Sequence, residues 1–155
     1  MTAATLNGPD GITTDGTNLY VTDSHRIRKV VIATGAMTTL AGGGVEVVSS
    51  AQYPFGRSAD GTGATASFSY SQGITTDGSN LYVGDYASGL ICKVVIATGE
   101  VTTLAGSITG ISAVDGTGTA ASFNGLGGIT TDGISLYVAD RVSGNGVNNS
   151  IRKIQ

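Results

Sequence analysis

Residues 11–42 read GITTDGTNLYVTDSHRIRKVVIATGAMTTLAG, and most of that text returns: residues 73–106 read GITTDGSNLYVGDYASGLICKVVIATGEVTTLAG, and residues 128–141 begin again with GITTDGISLYVADR. The match extends upstream. DGTGATASFSYSQG (60–73) aligns without a gap on DGTGTAASFNGLGG (115–128), and TAATLNGPDG (2–11) aligns on TAASFNGLGG (119–128), which places Leu6, Phe68 and Phe123 in one column. The phrase thus recurs after 62 and then 55 residues, room for one multi-stranded unit per repeat.

Each unit reads as four short strands. Gly-Ile-Thr-Thr is strand a, and Asp-Gly supplies the positive backbone angles of a tight hairpin turn. Leu-Tyr-Val is strand b, IRKVVIA is strand c, Thr-Gly makes a second turn, and MTTLAG or VTTLAG is strand d. Run length, Thr and β-branched content and Gly punctuation all oppose helix. The runs Val30-Val31-Ile32 and Val94-Val95-Ile96 do not alternate in polarity, which predicts a strand c covered on both faces. Stacked sheets provide such cover.

Composition agrees with a turn-rich all-β chain. Charged residues are 12%, about half of the usual share, while Gly is 25 of 155 and hydrophobic residues are 40%, enough to offset chain ordering. Net charge is −3 with no block of like charge, so a phosphate backbone finds no electrostatic footprint and no nucleic-acid partner is expected. No run approaches the roughly 18 apolar residues of a membrane span. The opening MTAATLNG has neither the basic nor the apolar region of a signal peptide, and nothing in the residues fixes a compartment. The one cysteine, Cys92, has no internal disulfide partner.

GITTDGTNLYVTD followed by HRIRKV resembles the NHL repeat, whose units pair an a–b hairpin and an Asp after strand b with an N-H-R-I-R-K type entry into strand c. The resemblance covers all three units. It implies the blades of a β-propeller, commonly six to a ring. The units depart from one another between that Asp and the strand-c Lys, which stand 6 residues apart in the first (Asp23, Lys29), 8 in the second (Asp85, Lys93) and 13 in the third (Asp140, Lys153); Cys92 occupies the column of Arg28 and Arg152. The fold class expected is therefore all-β: a propeller segment of three four-stranded blades (about 6–42, 60–106 and 115–155, with a long connecting loop over 43–59). The last blade is incomplete: either the chain is a piece of a longer array, or a homodimer completes a six-bladed ring and covers the open faces, which is the arrangement expected.

Strand direction then sorts the loops. The a–b and c–d turns fall on one face and are short. The b–c and d–a connections fall on the other and carry all the variation, so binding is expected there. Asp15, Asp77 and Asp132 precede Gly in the hairpins and read as turn formers. Asp23, Asp85 and Asp140 read as acceptors for backbone N–H groups of the following loop. Tyr20, Tyr82 and Tyr137 recur and read as packing, as do Phe68 and Phe123. Tyr53, Phe55, Tyr70 and Tyr86 do not recur, lie in long-face loops with Arg57 and Arg141, and form the candidate binding set, the alternative for Tyr53 and Phe55 being to pin their long loop onto the blade.

No catalytic set stands out. Some propellers that resemble this family are lyases with histidine or metal clusters near the long-loop face, whereas His25 is the one histidine here and sits where the repeat itself places it. Cys92 has no neighbouring base in sequence and reads as an inert thiol in a partly open setting that should tolerate Arg or Ser. No metal-ligand spacing, phosphate loop or cofactor motif is present. The expected function is a non-catalytic binding or assembly scaffold. The alternative is half of a propeller lyase or hydrolase, active only on ring closure.

Overall fold

A computed structural model describes residues 5–43, 58–108, 113–141 and 149–154. The chain is all-β and folds as a β-propeller segment of three stacked antiparallel sheets. The first holds β1 (Pro9–Thr14), β2 (Asn18–Asp23), β3 (Arg26–Val31) and β4 (Met37–Gly42) in sequence order. The second holds β6 (Ser71–Thr76), β7 (Asn80–Asp85), β8 (Leu90–Val95) and β9 (Glu100–Ala105), with β5 (Gly61–Thr62) added outside β9. The third holds β10 (Leu126–Thr131), β11 (Leu136–Asp140) and β12 (Ser150–Ile154).

The five-stranded middle sheet departs from the four strands read in the sequence. Gly61 and Thr62 pair with Val101 and Glu100, and the Gly63 N–H donates to the Gly99 carbonyl, so the connection into this sheet first covers its outer edge. An exposed edge is otherwise a template for unwanted pairing.

The a–b hairpin is the same in each sheet, and the Asp-Gly pair explains why. Asp15 Oδ1 accepts the N–H groups of Thr17 and Asn18 at 2.8 and 2.6 Å, while Gly16, Gly78 and Gly133 take φ values of +87°, +90° and +89°, where side chains are disfavoured. The other oxygen accepts a tyrosine hydroxyl: Tyr20 to Asp15, Tyr82 to Asp77 and Tyr137 to Asp132, each at 2.8 Å. Hydrogen bonds from Asn18 hold the Asp15 carboxyl well below the usual carboxylate range, and those from the Ser135 and Ile134 amides bring Asp132 to about 2. Burial, reinforced by the bond to Asp15, pushes the Tyr20 phenol up to about 12. Turn and strand are thus fastened by one side chain.

The apolar residues form two layers, one in each gap between sheets. Tyr20, Ile27 and Ala41 of the first sheet pack with Phe68, Ile74, Leu81, Val83 and Val94 around the second. Ile91 and Ala105 pack with Phe123, Leu126, Ile129, Leu136 and Val138 around the third. Among the described residues, only the middle sheet has cover on both faces. Accordingly Leu90, Ile91 and Cys92 are consecutive buried residues of β8, whereas in β3 Ile27 alone is fully buried and Ile32, beyond its end, lies exposed in the turn. Of the runs that carried the expectation, Val94 is buried and Val95 and Ile96 are half-buried, whereas Val30 and Val31 are half-buried and Ile32 is exposed, so double cover holds in part for the second unit and fails for the first.

Cys92 also departs from its reading. It is buried in the first core layer, opposite Val83 in the register. The arginines in its column are themselves mostly buried; each reaches the carboxylate that ends strand b, Arg28 to Asp23 at 3.4 Å and Arg152 to Asp140 at 3.0 Å. Asp85 instead takes the Ser58 hydroxyl and backbone N–H groups, so the column is free for an apolar group. Burial, then the charges of Asp85 and Asp60, push the Cys92 thiol well above its usual range. A thiol-reactive disulfide reagent should leave the folded chain unlabelled and modify one thiol per chain in denaturant. Rapid labelling of the native state would contradict this burial.

Candidate functional site

The three inner strands run side by side, β1 against β6 and β6 against β10. Each carries a bulge at its start, between Pro9 and Ile12, Ser71 and Ile74, and Leu126 and Ile129. A cleft of about 260 Å³ opens there, lined by Asp10, Gln72 and Gly127, the glycines that follow them, and Arg141. It lies at the strand ends where the d–a connections arrive, on the long-loop face. Asp10, Gln72 and Gly127 share one repeat column, the position before Gly-Ile-Thr-Thr, and that column varies while the phrase does not. Variation inside an otherwise repeated text was the available signal, and the sequence reading missed it.

Above the cleft, a single backbone bond recurs in all three units. The N–H after the strand-b Asp donates to a carbonyl of the incoming connection: Ser24 to Gly8, Tyr86 to Tyr70 and Arg141 to Gly125, at 3.2, 2.9 and 2.9 Å. Two of the six candidate residues, Tyr86 and Arg141, therefore occupy equivalent rim positions in neighbouring sheets, and Tyr70 is the acceptor of the bond that Tyr86 donates. Tyr70 and Tyr86 meet edge to face with ring centres 6.5 Å apart, and Tyr70 remains 38% exposed. Arg141 is exposed and forms no ion pair among the described residues. Tyr53, Phe55 and Arg57 lie outside the described residues.

The strand-b carboxylates hold this rim in place. They accept N–H groups of the preceding connection rather than of the following loop as the sequence reading expected. Asp23 takes the Asn7 amide, Asp85 those of Ser69 and Tyr70 at 2.8 and 2.6 Å, and Asp140 those of Asn124 and Gly125 at 3.0 and 3.1 Å. The turn of the chain onto the inner strand explains the difference, because it aims these amides at the end of strand b. Asp140 is also held by Arg152, whose guanidinium bonds the Ser122 and Val114 carbonyls and Asp115 and stacks 4.5 Å over Phe123. That arginine is structural.

His25 does not face the cleft chemistry. Its Nδ1 lies 3.0 Å from the Phe68 carbonyl, which can only accept, so Nδ1 carries the hydrogen and ties the first b–c turn to the second sheet. Among the described residues no group of three His, Cys, Asp or Glu side chains is placed to hold a metal ion.

No protein-family model and no curated protein sequence matches the chain. Solved structures do. An auxiliary nutrient binding protein from Bacteroides thetaiotaomicron superposes with a TM-score of 0.61 at 21% identity, over 84% of this chain and 34% of that one. A nidogen/laminin complex gives 0.57 at 18% identity, over 94% and 43%. Virginiamycin B lyase from Staphylococcus aureus gives 0.53 at 16% identity, over 95% and 41%. The chain spans less than half the length of each. At these identities the likeness is one of fold, and that fold is the β-propeller.

Proposed function

We propose that the chain is an NHL-type propeller segment acting as a binding scaffold, with its ligand face on the long-loop rim around the axial cleft. The observation that supports this most directly is the contrast between two sets of tyrosines. Tyr20, Tyr82 and Tyr137 donate their hydroxyls to turn carboxylates, whereas Tyr70 and Tyr86 stand together at the rim with no hydroxyl partner among the described residues. Arg141 adds an unpaired cation on the next sheet, and Gln72 an amide in the cleft. Two tyrosine rings on one sheet and a guanidinium at the equivalent rim position of the next suit a ligand that joins a flat or apolar group to a carboxylate.

The test is ligand-observed NMR against a set of aromatic carboxylates and short acidic-aromatic peptides. Hits should lose at least about tenfold in affinity, near 1.4 kcal/mol, in Tyr70→Ala and in Arg141→Ala proteins whose circular dichroism is unchanged. Tyr53→Ala with Phe55→Ala should weaken the same ligands. Hits that all four substitutions leave untouched would move binding away from this rim.

A further inference from the structure

We propose that the open face of the third sheet receives the first sheet of a second copy of this chain, and the reverse, so that two chains close one ring and complete the axial cleft. This goes beyond the binding reading and rests on the fold alone.

The two internal junctions define what a sheet requires of its neighbour. At Gly11 a Cβ would fall inside the Gln72 carbonyl oxygen, and at Gly73 inside the Gly127 carbonyl oxygen: each inner strand can approach the next only because glycine stands there. Gly128 is the third member of that column, and nothing among the described residues lies within 4 Å of the place its Cβ would take. A neighbour built on the same pattern would offer it the carbonyl of position 10, the column of Gln72 and Gly127. In a second copy that residue is Asp10.

The apolar residues agree with the glycines. Ile27 and Ile91 are fully buried in the two core layers, but their equivalent on the third sheet, Ile151, is 73% exposed. Ile74 and Ile129 are 7% and 8% exposed, but their equivalent on the first sheet, Ile12, is 62% exposed. Within the chain, these two columns share one layer at each junction, Ile27 with Ile74 and Ile91 with Ile129. Ile151 and Ile12 are thus the two halves of a third junction, carried on opposite ends of one molecule. Such a head-to-tail contact either closes or runs on as a filament. Closed propellers hold about four to eight blades, a range that two copies of these three sheets meet and that one copy or three copies do not. Closure by two-fold rotation then places a second Asp10, Gln72 and Arg141 around the same cleft.

Light scattering on the eluted native chain at micromolar concentration should give about 31 kDa, twice the 15.4 kDa chain. Gly128→Val should give about 15 kDa with native circular dichroism, since the added side chain has open space in the single chain and meets the partner's backbone only in the ring. Ile151→Asp should do the same by a different route, and serves if Gly128→Val fails to fold. A folded wild-type monomer, a trimer or an open polymer would overturn the proposal. So would a dimer that both substitutions leave intact. Ligand binding by a wild-type monomer would overturn ring closure while leaving the binding reading in place.

Discussion

Gly73→Ala should cost the fold about 3 kcal/mol or more, at the upper end for added volume in a packed interior, because the methyl meets a backbone carbonyl that has no rotamer to escape into. The inner strands β6 and β10 would have to separate, and the core layer holding Ile129 and Leu136 would open with them. The measurement is urea unfolding followed by circular dichroism. A midpoint shift worth under about 1 kcal/mol would show that the inner strands can slide apart and that the glycine column is not set by close approach.

Asp85→Ala should be nearly as damaging, about 3 kcal/mol or more, by removing the acceptor for buried donors that each cost about 1–3 kcal/mol when left unpaired. The carboxylate is fully buried and has no cationic partner among the described residues, unlike Asp23 and Asp140. It relies on the amides of Ser69 and Tyr70 and the hydroxyl of Ser58. Ser69 retains a bond to Ser58 Oγ at 3.1 Å, so the Tyr70 amide suffers most. Asp85→Asn should recover part of the loss through its remaining oxygen, and Asp77→Ala, at an exposed turn, should cost clearly less. The argument fails if Asp85→Ala unfolds within about 1 kcal/mol of wild type.

Much of this architecture was legible because the chain states it repeatedly. Asp-Gly before Leu-Tyr-Val gives the hairpin, the recurrence of Phe68 and Phe123 marks them as core, and direction alone separates the two loop faces. What escaped reading was contact between segments distant in sequence. Gly61-Thr62 is too short and too glycine-rich to show a strand period, and its partner lies about forty residues on. Cys92 was misread because two arginines in its column suggested an open setting. Their polarity answers a buried carboxylate, and Ser58 answers it in the second unit. The Asp-to-Tyr spacing of five residues, identical in all three units, carried the hairpin fastening in plain sight. Rim and cleft were half visible: non-repeating aromatics pointed to Tyr70 and Tyr86, while Asp10 and Gln72 required the bulges to bring them to the axis.

The edge strand β5 has a consequence for how such a chain can change length. From Ala59 onward the incoming segment is committed, first by the bridge to Ser67 and then by pairing with β9, and Val114 with Ser122 repeats the bridge in the next unit. Yet Asp60 follows Gly42 by 18 positions, while Asp115 follows Gly106 by only 9. The extra residues therefore enter upstream of the commitment point, where lengthening a connection carries only a slowly rising entropic penalty. For grafting a foreign peptide, that stretch is the natural acceptor. New sequence placed there leaves the strand register downstream unshifted.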